Sequence, residues 1–265
     1  MSKKEQTAEP SAAGTPGRTY IVAMTVGSVG KTAFARHILH AYMPAARLIS
    51  VESATPDEGA TDLYQRGQAE ARAALRFELF SRLPNGKIVD CGVTDSEMIA
   101  EVIAELAAIG RAGHITMVLP VLVESKGLRG LEHFGGLLPT SVRKVAVLTQ
   151  VEDAAADVKF RASKYGHAVE VYCKEHRIAL CPIPFLHSDL LDTSSAVHTV
   201  AMSGRTLEEV RSIDLDALAT GAGPHDRAAA AQLGLLIGAA AMAPSAIENT
   251  RAIFDWIMSQ ENGNG

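Results

Sequence analysis

Four residues carry most of the chemistry this sequence offers: Lys31, Thr32, Asp90 and Glu52. Lys31 and Thr32 close the window Thr25-Val26-Gly27-Ser28-Val29-Gly30-Lys31-Thr32. Its last three residues fit the phosphate-loop pattern Gly-x-x-x-x-Gly-Lys-Ser/Thr, and Thr25 stands where the first glycine belongs. Gly27 and Gly30 let the backbone curl with its N–H groups turned inward. The helix expected from Lys31 adds its positive dipole end. The binding set is then Gly27, Ser28, Val29, Gly30, Lys31 and Thr32, with Lys31 reaching the β- and γ-phosphates and Thr32 ligating Mg²⁺. A glycine turn that merely joins a strand to a helix is the plainer alternative, and a bare Gly-Lys-Thr occurs often by chance. The surrounding pattern decides between them.

Asp90 ends the apolar run Lys87–Cys91, in KIVDCG. A carboxylate there can hold Mg²⁺ through water or orient the attacking water, so Asp90 is both a metal and a catalytic candidate. Glu52 ends LISVE and could meet the metal or the γ-phosphate from the other side, although Glu52, Asp57 and Glu58 also read as a solvated loop.

These residues need a scaffold, and the chain supplies an alternating one. Strand-type runs cover Thr19–Met24, Arg47–Glu52, Lys87–Cys91, His114–Pro120, Val142–Thr149 and Ile178–Ile183. Helical patterns are expected over Lys31–Tyr42, Leu63–Leu83 and Asp95–Ile109, the last opened by the capping-box pair Thr94 and Glu97. Alternation of this kind implies βαβ units in an α/β fold, a mainly parallel sheet flanked by helices. Ligands of such sheets sit beyond the carboxyl ends of the strands. The loops after Met24, Glu52, Cys91 and Pro120 should therefore carry function.

The chain has 265 residues, 47% apolar, with a net charge of −5. That balance argues against a surface coated in basic charge, though not against a local patch. Between Lys126 and Arg177 there are nine Lys and Arg against six Asp and Glu, so Lys159, Arg161, Lys164 and Lys174 are at most a weak DNA-contacting stripe. Cys91, Cys173 and Cys181 have no ligand-like spacing, which fits a reducing, cytoplasmic setting. The histidines pair at no metal-ligand spacing. Residues 1–18 are polar, with Pro and Gly, and read as a disordered tail; 259–265 read as a flexible one. Between them, 19–190 form the core and 191–258 a C-terminal helical part of the same domain. Arg227–Pro244 is rich in alanine and falls short of the roughly 20 apolar residues of a membrane span, so it is expected to be a buried or interface helix. Ser245 and Glu248 have capping-box spacing and should open a separate last helix.

Taken together, the glycine loop, the acidic end of the second strand, the hydrophobic strand ending in Asp90, MVLPV and VAVLTQ resemble the ParA/MinD superfamily of dimerising ATPases. VGSVGKT with ARHIL behind it, ISVES and IVDCG are most similar to its StbB-type plasmid stability proteins. The resemblance implies ATP and Mg²⁺ as ligands, a homodimer, and a plasmid-encoded DNA-binding protein as partner. Its alternatives are a non-hydrolysing scaffold in conjugative transfer and a ligase of the dethiobiotin-synthetase kind. The resemblance also exposes departures. Val26 stands where most of the superfamily carries a lysine that reaches the partner's nucleotide, and Thr149 where an asparagine often contacts the base. Arg18 and Lys126 are candidates for a replacement cation.

Overall fold

The computed structural model describes residues 17–51, 62–64, 71–186, 206–216 and 227–262. Its centre is an eight-stranded, entirely parallel sheet. The strands are β1 (Thr19–Val22), β2 (Arg47–Val51), β3 (Asp62–Tyr64), β4 (Lys87–Cys91), β5 (Ile115–Leu122), β6 (Arg143–Val151), β7 (Ala179–Leu180) and β8 (Phe185–Leu186). They run in the order β3-β2-β4-β1-β5-β6-β7, with β8 also on β6. The short β1 lies between β4 and β5, pairing Val22 with Asp90 and with Val118. The loop that leaves β1 therefore emerges at the middle of the sheet, beside the end of β4.

Helices cover both faces, which is why β4 and β5 are buried along their whole lengths rather than alternating with polar residues. On one side lie α2 (Ala71–Phe80), α3 (Ser96–Ala108), α4 (Ser125–Leu137), α5 (Ala154–Arg161) and α6 (Lys164–Glu175). They pack on Ile21, Val89, Met117, Leu119, Ala146 and Leu148. The other side holds α1 (Lys31–Phe34, continued by a π-helical turn over Ala35–His40), α7 (Leu207–Arg211) and α8 (Arg227–Asn262). Their partners are Tyr20, Val22, Leu48, Ile88, Val118, Val145 and Val147. Alternation along a strand then assigns Asp90 and its register partner Ser50 to the α1 face, since both follow the parity of Ile88 and Leu48.

Three expectations from the sequence fail locally. The start of the long helix expected over Leu63–Leu83 is instead β3, and the helix begins only at Ala71. Pairing with Ile49, Ser50 and Val51 satisfies that backbone at the sheet edge. The capping box of Thr94 and Glu97 does not form either. A 3₁₀ turn, Val93–Asp95, leads into α3, Thr94 Oγ1 donates to Asp95 Oδ2 at 3.1 Å, and Glu97 pairs with His133. Nor do Ser245 and Glu248 open a new helix, because α8 runs unbroken through Pro244. A proline inside a helix costs about 3 kcal/mol. Here the loss is offset by one continuous buried stripe, Leu236, Ala239, Ala243, Ala246, Thr250, Ile253, Phe254 and Ile257, which lies against the sheet and α1. Among the described residues α8 is the one helix long and apolar enough, by length and composition, to cross a membrane. Its outer face exposes Leu235, Ile237 and Met242.

Arg18, which the sequence reading puts in the tail, is held against the fold. Arg18 Nε lies 2.6 Å from Glu261 of α8, and its Nη1 donates to the Gly113 carbonyl at 2.9 Å. This side chain sits before β1, at the opposite end of the sheet from the glycine loop, so Arg18 is no replacement cation for that loop. Glu261 also accepts from Thr116 Oγ1 at 2.7 Å and approaches Arg143 at 3.4 Å, which ties the end of α8 to β5 and β6.

His114 supplies a pH dependence. It is buried, with Nε2 2.8 Å from the Leu79 carbonyl. Burial, then the cations Arg82, Lys87 and Arg18, hold it below the ordinary histidine value of 6.5, against the pull of that carbonyl. At neutral pH the folded and unfolded chains both carry the neutral ring. As pH falls through about 6.5 the unfolded chain takes up a proton that the folded chain refuses, so stability declines, by at most about 1.4 kcal/mol per pH unit. The half-buried His40, lowered first by burial and then by Arg36, adds in the same direction. Urea midpoints between about pH 7 and about pH 5.5 should fall, and His114→Gln should flatten that slope. An unchanged slope in the variant would remove His114 from the account.

Candidate phosphate site at the end of the central strands

The segment from Ala23 to Gly30 curls back over the end of β1. Ser28 and Gly30 both occupy the left-handed region, at φ 58° and 77°. Glycine takes that conformation freely at position 30, while Ser28 adopts it at a cost that its surroundings must hold in place. A left-handed residue within such a curl turns neighbouring N–H groups toward one side, the arrangement that receives oxyanions. The Gly30 carbonyl accepts from Phe34 N at 2.8 Å, which starts the helix directly after the loop. Lys31 Nζ donates to the Val26 carbonyl at 3.3 Å, so the ammonium lies back across its own loop. Lys31 and Thr32 are partly exposed, Ser28 is exposed, and Val29 is buried beneath.

Three contacts fix this loop, and none was read from the sequence. Ser96 Oγ lies 3.1 Å from the Met24 carbonyl and 2.9 Å from the Gly92 carbonyl, so one hydroxyl joins the loop after β1 to the loop after β4. The Gln150 amide donates to the Ser28 carbonyl from the end of β6, where Gln150 itself has φ 60°. Val26 is buried against α4, and a Cβ added to Gly130 would lie 2.3 Å from Val26 Cγ2. The Val26 side chain thus points into its own subunit. A matching demand holds one turn earlier, since a Cβ on Gly127 would come within 2.0 Å of the Leu122 carbonyl oxygen. No sequence signal marks Gln150 or Ser96. The two glycines three apart in SKGLRGLEHF were visible but unassigned.

Asp90 is buried beside Val22, on the α1 face just beyond which the loop begins. Sequence reasoning missed a second acid, Asp95, which is wholly buried in the 3₁₀ turn after β4. Asp90, Asp95 and Lys31 all act electrostatically on Cys91, whose thiol is pushed up chiefly by burial. Burial likewise raises Cys173 and Cys181 to about 12, so none of the three thiols is a nucleophile at neutral pH. Asp90 and the Thr32 hydroxyl suit Mg²⁺, which takes few protein oxygens and keeps water and phosphate oxygens for the rest. Among the described residues no group of three or more His, Cys, Asp or Glu could hold a metal by itself. Glu52 and its acidic neighbours lie outside the described residues.

Thr149 is wholly buried near the end of β6, on the α1 face, and its hydroxyl has no hydrogen-bond partner among the described residues. Lys126 is exposed at the start of α4, at the same sheet end as the loop. The expected basic stripe loses one member. Arg161 is engaged by Asp157 at 2.9 Å and by the Cys181 carbonyl at 3.1 Å.

No protein-family model and no curated protein matches this chain. Among solved structures it is similar to that of McdA from Cyanothece in complex with ATP, at 11% identity and a TM-score of 0.41, over 88% of this chain and 98% of that one.

Proposed function

We propose that this protein binds a nucleoside triphosphate, ATP by preference, with Mg²⁺, and changes state with its occupancy. One observation carries the reading. The curl with left-handed Ser28 and Gly30 lies between the central strand and α1, with the Lys31 ammonium folded over it and Asp90 at its base. In this reading the loop amides and Lys31 hold the β- and γ-phosphates, and Thr32 and Asp90 hold the cation. Lys31 exchanges a loop carbonyl for phosphate oxygens, a stronger charge-assisted contact. Glu52 is kept as a catalytic candidate on the sequence argument alone.

The resemblance to StbB-type plasmid stability proteins supports a role in plasmid maintenance, as a homodimer working with a plasmid-encoded DNA-binding protein. One feature favours the non-hydrolysing scaffold as the second reading: Val26 is packed on Gly130 and offers no cation to a partner's nucleotide. A single arginine finger in comparable chemistry contributes about 10³–10⁵ in rate. Turnover of ATP and of GTP should accordingly be slow, with or without DNA. Brisk hydrolysis that disappears in Lys126→Ala would place the missing cation on α4 and overturn the slow-turnover reading.

Asp90→Asn should still bind nucleotide but lose the additional thermal stabilisation that Mg²⁺ confers on the complex. If Mg²⁺ still adds to the stability of the ATP-bound variant, Asp90 is a structural strand-end residue and not part of the metal site.

A further inference from the structure

A cavity of about 250 Å³ opens at the far end of the sheet from the phosphate loop. Its walls come from the turn before β6 (Thr140, Ser141), the start of β6 (Arg143, Lys144), the turn after α6 (Arg177) and the last turn of α8 (Gln260). Among the described residues that line it, three are cations and none is an acid. Arg143 is already engaged, donating to the Gln260 carbonyl and standing 3.4 Å from Glu261. Among the described residues, Lys144 and Arg177 have no such partner. Lys144 is only 3% exposed, yet no carboxylate lies within ion-pair distance of it among the described residues. Burial alone depresses its ammonium below the ordinary lysine range. Arg177 is exposed at the rim, in a left-handed conformation at φ 54°. The Lys144 stem is packed away from solvent while its ammonium lines the cavity, and an anion entering there would supply the missing counter-charge. The hydroxyls of Thr140 and Ser141 add donors of the type that phosphate oxygens accept.

We propose that this cavity is a second anion site, which takes a phosphate group between Lys144 and Arg177. From Lys144 to Gln150, which touches the phosphate loop, β6 rises by about 20 Å, so one phosphate group cannot serve both places. The phosphate can come from a free small molecule or from a nucleic-acid backbone, and the site's chemistry is the same for both. The proposal does not depend on the nucleotide reading, and the test is built to keep the two apart.

The experiment uses the full chain carrying Lys31→Ala, so that the phosphate loop contributes little. Binding of pyrophosphate and of a short single-stranded oligonucleotide is followed by calorimetry at constant ionic strength. Saturable binding of either probe is expected, weakened at least tenfold by Arg177→Gln and by Lys144→Met. Lys144→Met should also raise the melting temperature slightly in the absence of anion, because it removes a partly desolvated charge while roughly keeping the volume. Tighter binding of the oligonucleotide, lost in the same two variants, assigns the phosphate to a nucleic-acid backbone; comparable binding of pyrophosphate assigns it to a free molecule. Absence of binding by both probes overturns the proposal, as does binding that survives both substitutions.

Discussion

Lys31→Ala is expected to weaken ATP binding by about ten- to a hundredfold while leaving cooperative unfolding unchanged. A hydrogen bond to a charged group contributes roughly 1.5–3 kcal/mol, and each 1.4 kcal/mol is a factor of ten in affinity. The side chain is partly exposed and donates to the Val26 carbonyl, so its removal takes away a donor and strands none. Calorimetry with ATP and Mg²⁺ reads the loss directly. Unchanged affinity would mean that the curl after β1 is a connector and not a phosphate site. The anion cavity at the other end of the sheet would be untouched by that outcome.

Gly130→Ala should both destabilise the protein and impair the loop. The added Cβ would stand 2.3 Å from Val26 Cγ2, far inside van der Waals contact, so α4 or the loop must move. Overpacking of this kind costs about 1–3 kcal/mol. Because Val26 is the second residue of the phosphate window, the displacement reaches the amides that would hold phosphate, and ATP affinity should fall with stability. Val26→Ala removes the clashing methyl. Introduced alone it should cost about 1 kcal/mol for the lost packing, but in the Gly130→Ala background it should restore stability and binding together. Simple addition of the two single effects in the double variant would show that Val26 and Gly130 do not meet as described.

Much of the fold was legible because it depends on local pattern. The βαβ alternation, the burial of KIVDC and ITMVLPVL, and the glycine loop placed between a strand and a helix all follow from hydrophobic runs and from the residues that break them. Asp90 was found for the same reason: an acid at the end of an apolar strand stands out. The boundaries that failed were those where a local signal met a stronger partner. Thr94 and Glu97 have capping-box spacing, but Asp95 and His133 took their side chains. Pro244 reads as a stop, yet the stripe from Leu236 to Ile257 runs on beyond it, because apolar burial along a sheet outweighs one lost helical hydrogen bond.

The sequence by itself determined an α/β chain with a phosphate-type loop, its lysine and hydroxyl, and a strand-end carboxylate. Only the tertiary structure decided what surrounds them. It placed Ser96 across two loops, brought Gln150 onto the Ser28 carbonyl from over a hundred residues away, and turned Val26 inward onto Gly130. It also carried Arg18 to the opposite end of the sheet, onto Glu261. Lys144 is one lysine among many in the sequence, and becomes a largely buried side chain whose ammonium lines a cavity only when β6, the turn after α6 and the end of α8 meet around it. The reason is physical. Periodicity and turn chemistry are written in neighbouring residues, whereas desolvation, ion pairing and close approach depend on groups far apart in the chain that share a place only after the sheet has assembled.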